Sequence, residues 1–306
     1  MATKTDTSQS TDADGTIDGL IQRFDRHLGN DMSIRKAATV YGLLFAYYIF
    51  LLVPIVWLML SSFLTTSGLY SGELIPSIDE YTIANYERVL GDGLFQQYFL
   101  NSVIVAAATT LLTLVVAIPA AYSVSRFEYP GRDYVIIGLI SSQMLPLVLV
   151  LLPLFTIMFR LNLVDSLMGL VIGHTVGALP FAVWLLKGFF DGIPEALDDA
   201  AMMDGCNRIQ IMYKIIVPLS IPGIAVSAFY AFIASWNDYL FVSILSQSSG
   251  TRTLPMGLQL FQTANQVDWG AVTAAAVVTM IPVLLLFAFV QSWLVEGLSN
   301  TGTKGS

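Results

Sequence analysis

The chain has 306 residues, of which 55% are hydrophobic and only 12% charged, where a soluble domain carries roughly a quarter charged residues. So much apolar side chain cannot be hidden in one globular core, and the composition therefore points to a membrane protein. A net charge of −8 argues against a nucleic-acid partner, and a single cysteine, Cys206, excludes an internal disulfide or a cysteine-based metal cage. The acidic balance also predicts a surface that stays hydrated in concentrated salt, as in a halophilic host.

Residues 1–16 are rich in Ser, Thr and Asp, a composition that favours disorder. Ile17, Leu20, Ile21, Phe24 and Leu28 then recur at helical spacing, with Arg23, Arg26 and His27 among them. That pattern predicts an amphipathic helix on the cytoplasmic membrane surface. Residues 1–36 are accordingly read as a cytoplasmic tail with no signal peptide, and 37–306 as the membrane domain.

Six apolar runs follow, at 38–60, 102–124, 134–158, 167–190, 220–245 and 270–295. Each is close to the ~20 residues that cross a bilayer as a helix, so the expected fold is an all-α membrane protein with six transmembrane helices. With the N-terminus inside, every Lys and Arg except Arg88, Arg160 and Arg252 falls in a cytoplasmic segment. This satisfies the positive-inside rule and places both termini in the cytoplasm. Each run also carries proline, namely Pro54, Pro119, Pro146 with Pro153, Pro180, Pro222 and Pro282, which spanning helices tolerate.

The segment at 191–218 stands apart as a polar, acidic connector between the fourth and fifth runs. Pro194 suits a first helical turn, and Glu195, Asp198 and Asp199 favour the positive end of the helix dipole. Ala196, Leu197, Ala200 and Ala201 are expected to form one small apolar face. Gly205 supplies a positive φ to stop the helix, and Asn207 caps a second helix with Ile209, Met212, Tyr213 and Ile216 on one stripe. Physics alone leaves two readings open: a docking surface for another protein, or an interfacial helix pair resting on lipid headgroups.

Asp199-Ala200-Ala201, then Gly205, then Ile215-x-Val217-Pro218 resembles the EAA signature of ABC importer permeases, E-A-A, three residues, G, nine residues, I-x-L-P. Asp199 stands for the usual Glu and Val217 for the usual Leu. Further likenesses are TIANYERVL and YFLNSVIVA before and into the second run, SRFEYPGRD at 125–133, and Ser235-Trp236-Asn237-Asp238 in the fifth run. Thr253–Leu258, Asp268-Trp269-Gly270 and the tail from Gly297 complete the set. Together they resemble the maltose-type, carbohydrate-uptake inner-membrane subunits of binding-protein-dependent ABC transporters.

The resemblance implies a cytoplasmic EAA-type coupling helix between spans four and five, with Asp199, Ala200, Ala201, Asp204 and Gly205 meeting the ATPase. It implies as partners an ABC ATPase dimer, a second homologous permease subunit and an extracytoplasmic sugar-binding protein, all in a prokaryotic cell membrane. Carbohydrate would move inward by alternating access. The alternatives are another solute (peptide, phosphate or osmolyte), a gated channel, and an intramembrane enzyme.

No G-x-x-x-x-G-K-[ST], H-E-x-x-H or G-x-S-x-G occurs, so no phosphate cradle, zinc site or serine nucleophile is legible. No cofactor is expected on this chain, ATP and Mg belonging to the partner ATPase. Polar groups inside spans are the remaining candidates: Gln143, His174, Asn237 and Asp238 as lining of a translocation path. Asp238 and His174 have an equally simple alternative as hydrogen-bonded packing residues.

Overall fold

A computed structural model describes residues 34–73, 76–262 and 267–302. The amphipathic segment expected at 17–28 and the last four residues of the tail lie outside these. The chain divides into two units, Met1–Leu60 and Ser61–Ser306. In the first, α1 (Ile34–Ser61) contains Pro54. Its apolar side chains, from Val40 to Leu60, are exposed along nearly the whole helix. Water would not tolerate such a surface, whereas a bilayer does.

The second unit begins with a short region in which Asn85 on α2 (Ala84–Gly91) is buried and donates to the Ser62 and Leu64 carbonyls. The next helix, α3 (Gly93–Arg126), starts where the Asp92 carboxylate accepts from the Phe95 N–H and runs past Pro119 to Arg126. After Gly131, which turns the chain with φ +94°, come α4 (Arg132–Ser142) and α5 (Leu147–Arg160). Then follow α6 (Leu167–Asp191), α7 (Ala196–Met203) and α8 (Arg208–Leu219). The chain closes with α9 (Ile221–Trp236), the short α10 (Leu240–Leu245) and α11 (Leu254–Gly257), and α12 (Trp269–Gly302). No strand is present among the described residues, which contain only two isolated β-bridges.

Among the described residues, four helices are long and apolar enough to cross a membrane, and a fifth span results if α8 and α9, bent by 82°, are counted together. Two of the six expected runs are therefore not single straight helices. The run at 134–158 is interrupted at Gln143–Pro146, because Pro146 lacks the N–H that would continue the ladder and disfavours α geometry in the residue before it. The run at 220–245 bends at Ser220 between Pro218 and Pro222 and ends as a helix at Trp236. The Ser235–Asp238 motif thus sits at a helix end rather than within a span. A π-helical stretch at Met212–Ile216 precedes the bend, the kind of local irregularity that often marks a functional position.

α3 packs most extensively against α6 and α9, and α12 covers the other side of α9. Small residues permit this closeness, as is usual where lipid removes the hydrophobic drive between helices. A Cβ on Gly173 would collide with the Phe241 ring, and one on Gly223 with the Phe189 ring. The apolar core has three parts. One joins Ala121 and Tyr122 of α3, Leu186 and Phe190 of α6, Ala201 of α7 and Ile211 and Ile216 of α8. A second gathers Phe95, Tyr98, Trp236, Leu254 and Ala274. A third joins Leu154, Met158, Leu170, Phe241 and Val242. Through the first, the polar connector is packed directly onto membrane helices.

Candidate functional site

The connector forms a helix–turn–helix. Glu195 takes the N-cap position of α7, with Pro194 just ahead of it. At the other end Gly205 turns with φ +84°, and nothing lies within 4 Å of where its Cβ would be, so conformation and not space requires the glycine. Asn207 caps α8 through a full capping box: its side chain accepts from the Gln210 N–H at 2.9 Å, and Gln210 Oε1 accepts from the Asn207 N–H at 2.9 Å.

The apolar face expected of α7 is divided by the structure. Ala201 is buried, whereas Leu197 and Ala200 are exposed. Asp199 and Asp204 also face solvent. The residue that turns inward is Asp198, 3% exposed, whose Oδ2 lies 3.2 Å from the buried Arg126 Nε at the end of α3. The N–H is not aimed at the carboxylate, so the contact is a charge pair and not a hydrogen bond. Arg126 Nη2 instead donates to the Ile193 carbonyl at 2.8 Å. Burial pushes the Asp198 carboxyl above its ordinary range, against the pull of Arg126 and Arg208. Sequence reasoning placed Asp198 only in the dipole of its helix and Arg126 only in a basic connector. An acid beside Asp199 and an arginine just after an apolar run was the signal available.

A cavity of about 500 Å³ opens between α5, α6, α9 and the α4–α5 break. It brings together three of the four polar candidates, Gln143, His174 and Asp238, with Tyr230 and Phe241. Gln143 Nε2 donates to the Gly177 carbonyl at 3.2 Å, tying the interruption to α6 one turn before Pro180. His174 Nδ1 is 2.8 Å from Ser235 Oγ, and its Nε2 is 3.5 Å from Asp238 Oδ1. That Asp238 oxygen accepts from the Phe241 N–H at 2.8 Å and so caps α10. Asn237, the fourth candidate, is exposed and does not line the cavity. Ser235 and Tyr230 were not among the candidates: Ser235 was quoted only in a motif, and Tyr230 lay unmarked in an apolar run.

The Ser235–His174–Asp238 sequence of contacts has the composition of a hydrolytic triad. Ser235, however, is 4% exposed and also donates towards Thr109 Oγ1 at 3.5 Å, which makes it a packing group between α9 and α3. No cluster of His, Cys, Asp or Glu suited to a metal ion occurs among the described residues.

The family model described as "Binding-protein-dependent transport system inner membrane component" matches residues 114–300, which include the connector and the cavity. The chain belongs to this family. It is 35% identical over 254 residues, 83% of this chain and 89% of the relative, to the sulfoquinovosyl glycerol transport system permease protein of Agrobacterium fabrum. It is 34% identical over 259 residues, 83% of this chain and 92% of the relative, to the trehalose/maltose transport system permease protein of Thermococcus litoralis. Among solved structures, a chain of a bacterial ABC transporter involved in the import of the acidic polysaccharide alginate shares the fold, with a TM-score of 0.74 at 23% identity. The match covers 86% of this chain and 99% of that one. The protein is thus a multi-pass membrane permease subunit of an ABC transporter and not itself an enzyme; ATP hydrolysis takes place on the partner ATPase.

Proposed function

We propose that this permease carries a carbohydrate inward across the cell membrane by alternating access, driven by a partner ATPase. The observation that carries the substrate class is that relatives at 30% identity or more, aligned along most of their length, are named for sugar and sugar-derivative uptake. The complex contains, beside this chain, a second homologous permease subunit, an ATPase dimer and an extracytoplasmic sugar-binding protein. No cofactor resides on this chain.

Six spans are counted by taking α4 with α5 as the third and α8 with α9 as the fifth, within a permease domain at 37–306 that follows a cytoplasmic tail at 1–36. Both termini lie in the cytoplasm, in keeping with the distribution of basic residues. The EAA-type loop at 191–218 is the coupling element: Asp199, Ala200 and Asp204 present the exposed side of α7 to the ATPase, while Ala201 seats it and Gly205 turns it. Closure of the ATPase dimer then biases the bundle between outward-open and inward-open states. The cavity with Gln143, His174 and Asp238 belongs to the translocation path, and Asn237 to its rim.

Uptake by cells lacking this permease tests the substrate class. Labelled maltose, trehalose and diacetylchitobiose are compared with phosphate, a dipeptide and glycine betaine, with and without the gene restored. Restored accumulation of a sugar is expected. Restoration of a non-sugar solute alone would overturn the assignment.

A further inference from the structure

Asp198 is buried on a helix of only eight residues whose neighbours Leu197, Asp199 and Ala200 all face solvent. Both of its carboxylate oxygens lack a hydrogen bond. A carboxylate taken out of water without hydrogen bonds requires a cation beside it, and Arg126 provides one from the last residue of α3. Arg208, the first residue of α8, adds a second positive charge and lies over the Phe127 ring, 5.5 Å from its centroid.

Other contacts hold the same end of α3 to the chain just ahead of α7. Arg126 Nη2 holds the Ile193 carbonyl at the entry to the connector, and Ser125 Oγ donates to Asp191 Oδ1 at 2.7 Å. These reach only the segment before α7. Between α7 itself and α3, the polar link is the Asp198–Arg126 pair. α3 in turn runs for 34 residues alongside α6 and α9, so whatever is fixed to its inner end is fixed to the centre of the bundle.

We propose that Asp198 and Arg126 form a strut that makes α7 and the inner end of α3 move as one body. A push on the exposed side of α7 then reaches the bundle through α3, and is not absorbed in the loop between Ile193 and Glu195. Asp198 and Arg126 are positioning residues, since neither faces the ATPase. The inference rests on reading α7 as the docking helix.

The test follows motion across the complex and needs no transported ligand. Ala234, exposed in the cavity wall, is replaced by cysteine after Cys206→Ser has removed the only native thiol. Maleimide labelling of the purified complex is then measured with and without ATP plus vanadate. Single neutral variants leave a buried charge without its partner and are expected to assemble poorly. The decisive variant is therefore the double Asp198→Asn/Arg126→Gln, with Arg126→Lys as the charge-keeping control.

In the native pair, trapping nucleotide should change the labelling rate about tenfold, the usual scale of coupling between distant sites. The double variant should still co-purify with the ATPase and trap nucleotide while its labelling rate stays unchanged, and Arg126→Lys should retain most of the response. A native-sized response in the double variant would overturn the strut. Failure of the double variant to co-purify would also overturn it, by making the pair a requirement for docking. If the native pair itself shows no response to trapped nucleotide, it is the alternating-access reading that falls, and the strut with it.

Discussion

Two adjacent aspartates, Asp198 and Asp199, carry the same side chain and have opposite surroundings. Asp199 projects into solvent, where a partner's cation can reach it, and Asp198 is enclosed against Arg126. A helix sets them a hundred degrees apart, but which one turns inward depends on where the C-terminal end of α3 lies. That contact joins distant parts of the chain, so the sequence offers both residues but not their pairing. Gly205 and Asn207, by contrast, were legible because a positive φ and a capping oxygen are local requirements of the backbone.

Asp238 was marked for its charge, yet its Oδ1 acts on the Phe241 N–H as a helix cap. Asp238→Asn keeps an acceptor and should leave thermal stability in detergent nearly unchanged, whereas Asp238→Leu should lose roughly 1 kcal/mol, as caps do. Equal stability of the two variants would remove the capping role. Loss of uptake by both variants at normal expression would place the carboxylate on the substrate instead.

Asp165, with φ 56°, ties the α5–α6 turn to the loop after α10 by accepting from the Gln247 and Ser248 N–H groups at 3.0 and 2.9 Å. Hydrogen bonds from Thr251, Ser248 and Gln247 hold its carboxyl at about 2, below the ordinary 3.8. A depressed carboxyl contributes stability that is fully present above the unfolded value and is lost as pH falls through the folded one. The stability difference between the native chain and Asp165→Asn should therefore be constant from neutral pH down to about 4 and shrink as pH falls towards about 2. A difference that stays constant across that window, measured by thermal unfolding, would contradict this account.

At the scale of elements, the apolar runs marked where the apolar helices lie but not how they are broken. Composition is indifferent to the interruption at Gln143–Pro146 and to the 82° bend before α9. The prolines were visible, but proline lies inside unbroken helices here as well, at Pro119, Pro180 and Pro282. Whether a proline kinks or breaks a helix depends on the neighbours that satisfy the freed carbonyls, and those are tertiary.

The same limit applies to α7, where one expected apolar face became an exposed side and a seated side. Ala201→Trp should overpack the core it shares with Leu186 and Ile211 and destabilise the chain by about 1–3 kcal/mol. Ala200→Trp, on the exposed side, should leave stability unchanged and still abolish co-purification with the ATPase. Gly205→Val should cost roughly 1–2 kcal/mol, because the left-handed conformation crowds its Cβ. Thermal unfolding of the three variants beside the native chain separates these outcomes, and equal binding of Ala200→Trp to the ATPase would show that this side does not dock.

At the scale of the whole molecule, the family and the general plan were legible because they lie in the order of motifs along one chain. That Gln143, His174 and Asp238 share one cavity was not, because they come from the α4–α5 break, α6 and the end of α9. The net charge of −8 is a property at this scale too. Carboxylate repulsion within the complex is relieved by screening, so co-purification with the ATPase should improve towards molar salt. Equal or better assembly at low salt would contradict the halophilic reading of the composition.

The proposed transport is directional: ATP energy drives a carbohydrate inward through this permease. Proteoliposomes holding the complete complex, with ATP enclosed and substrate-loaded binding protein outside, measure it directly. Labelled sugar is expected to accumulate above its external concentration, dependent on both ATP and the binding protein. Entry that only equilibrates the sugar, at the same rate without ATP, would contradict it and make the protein a channel.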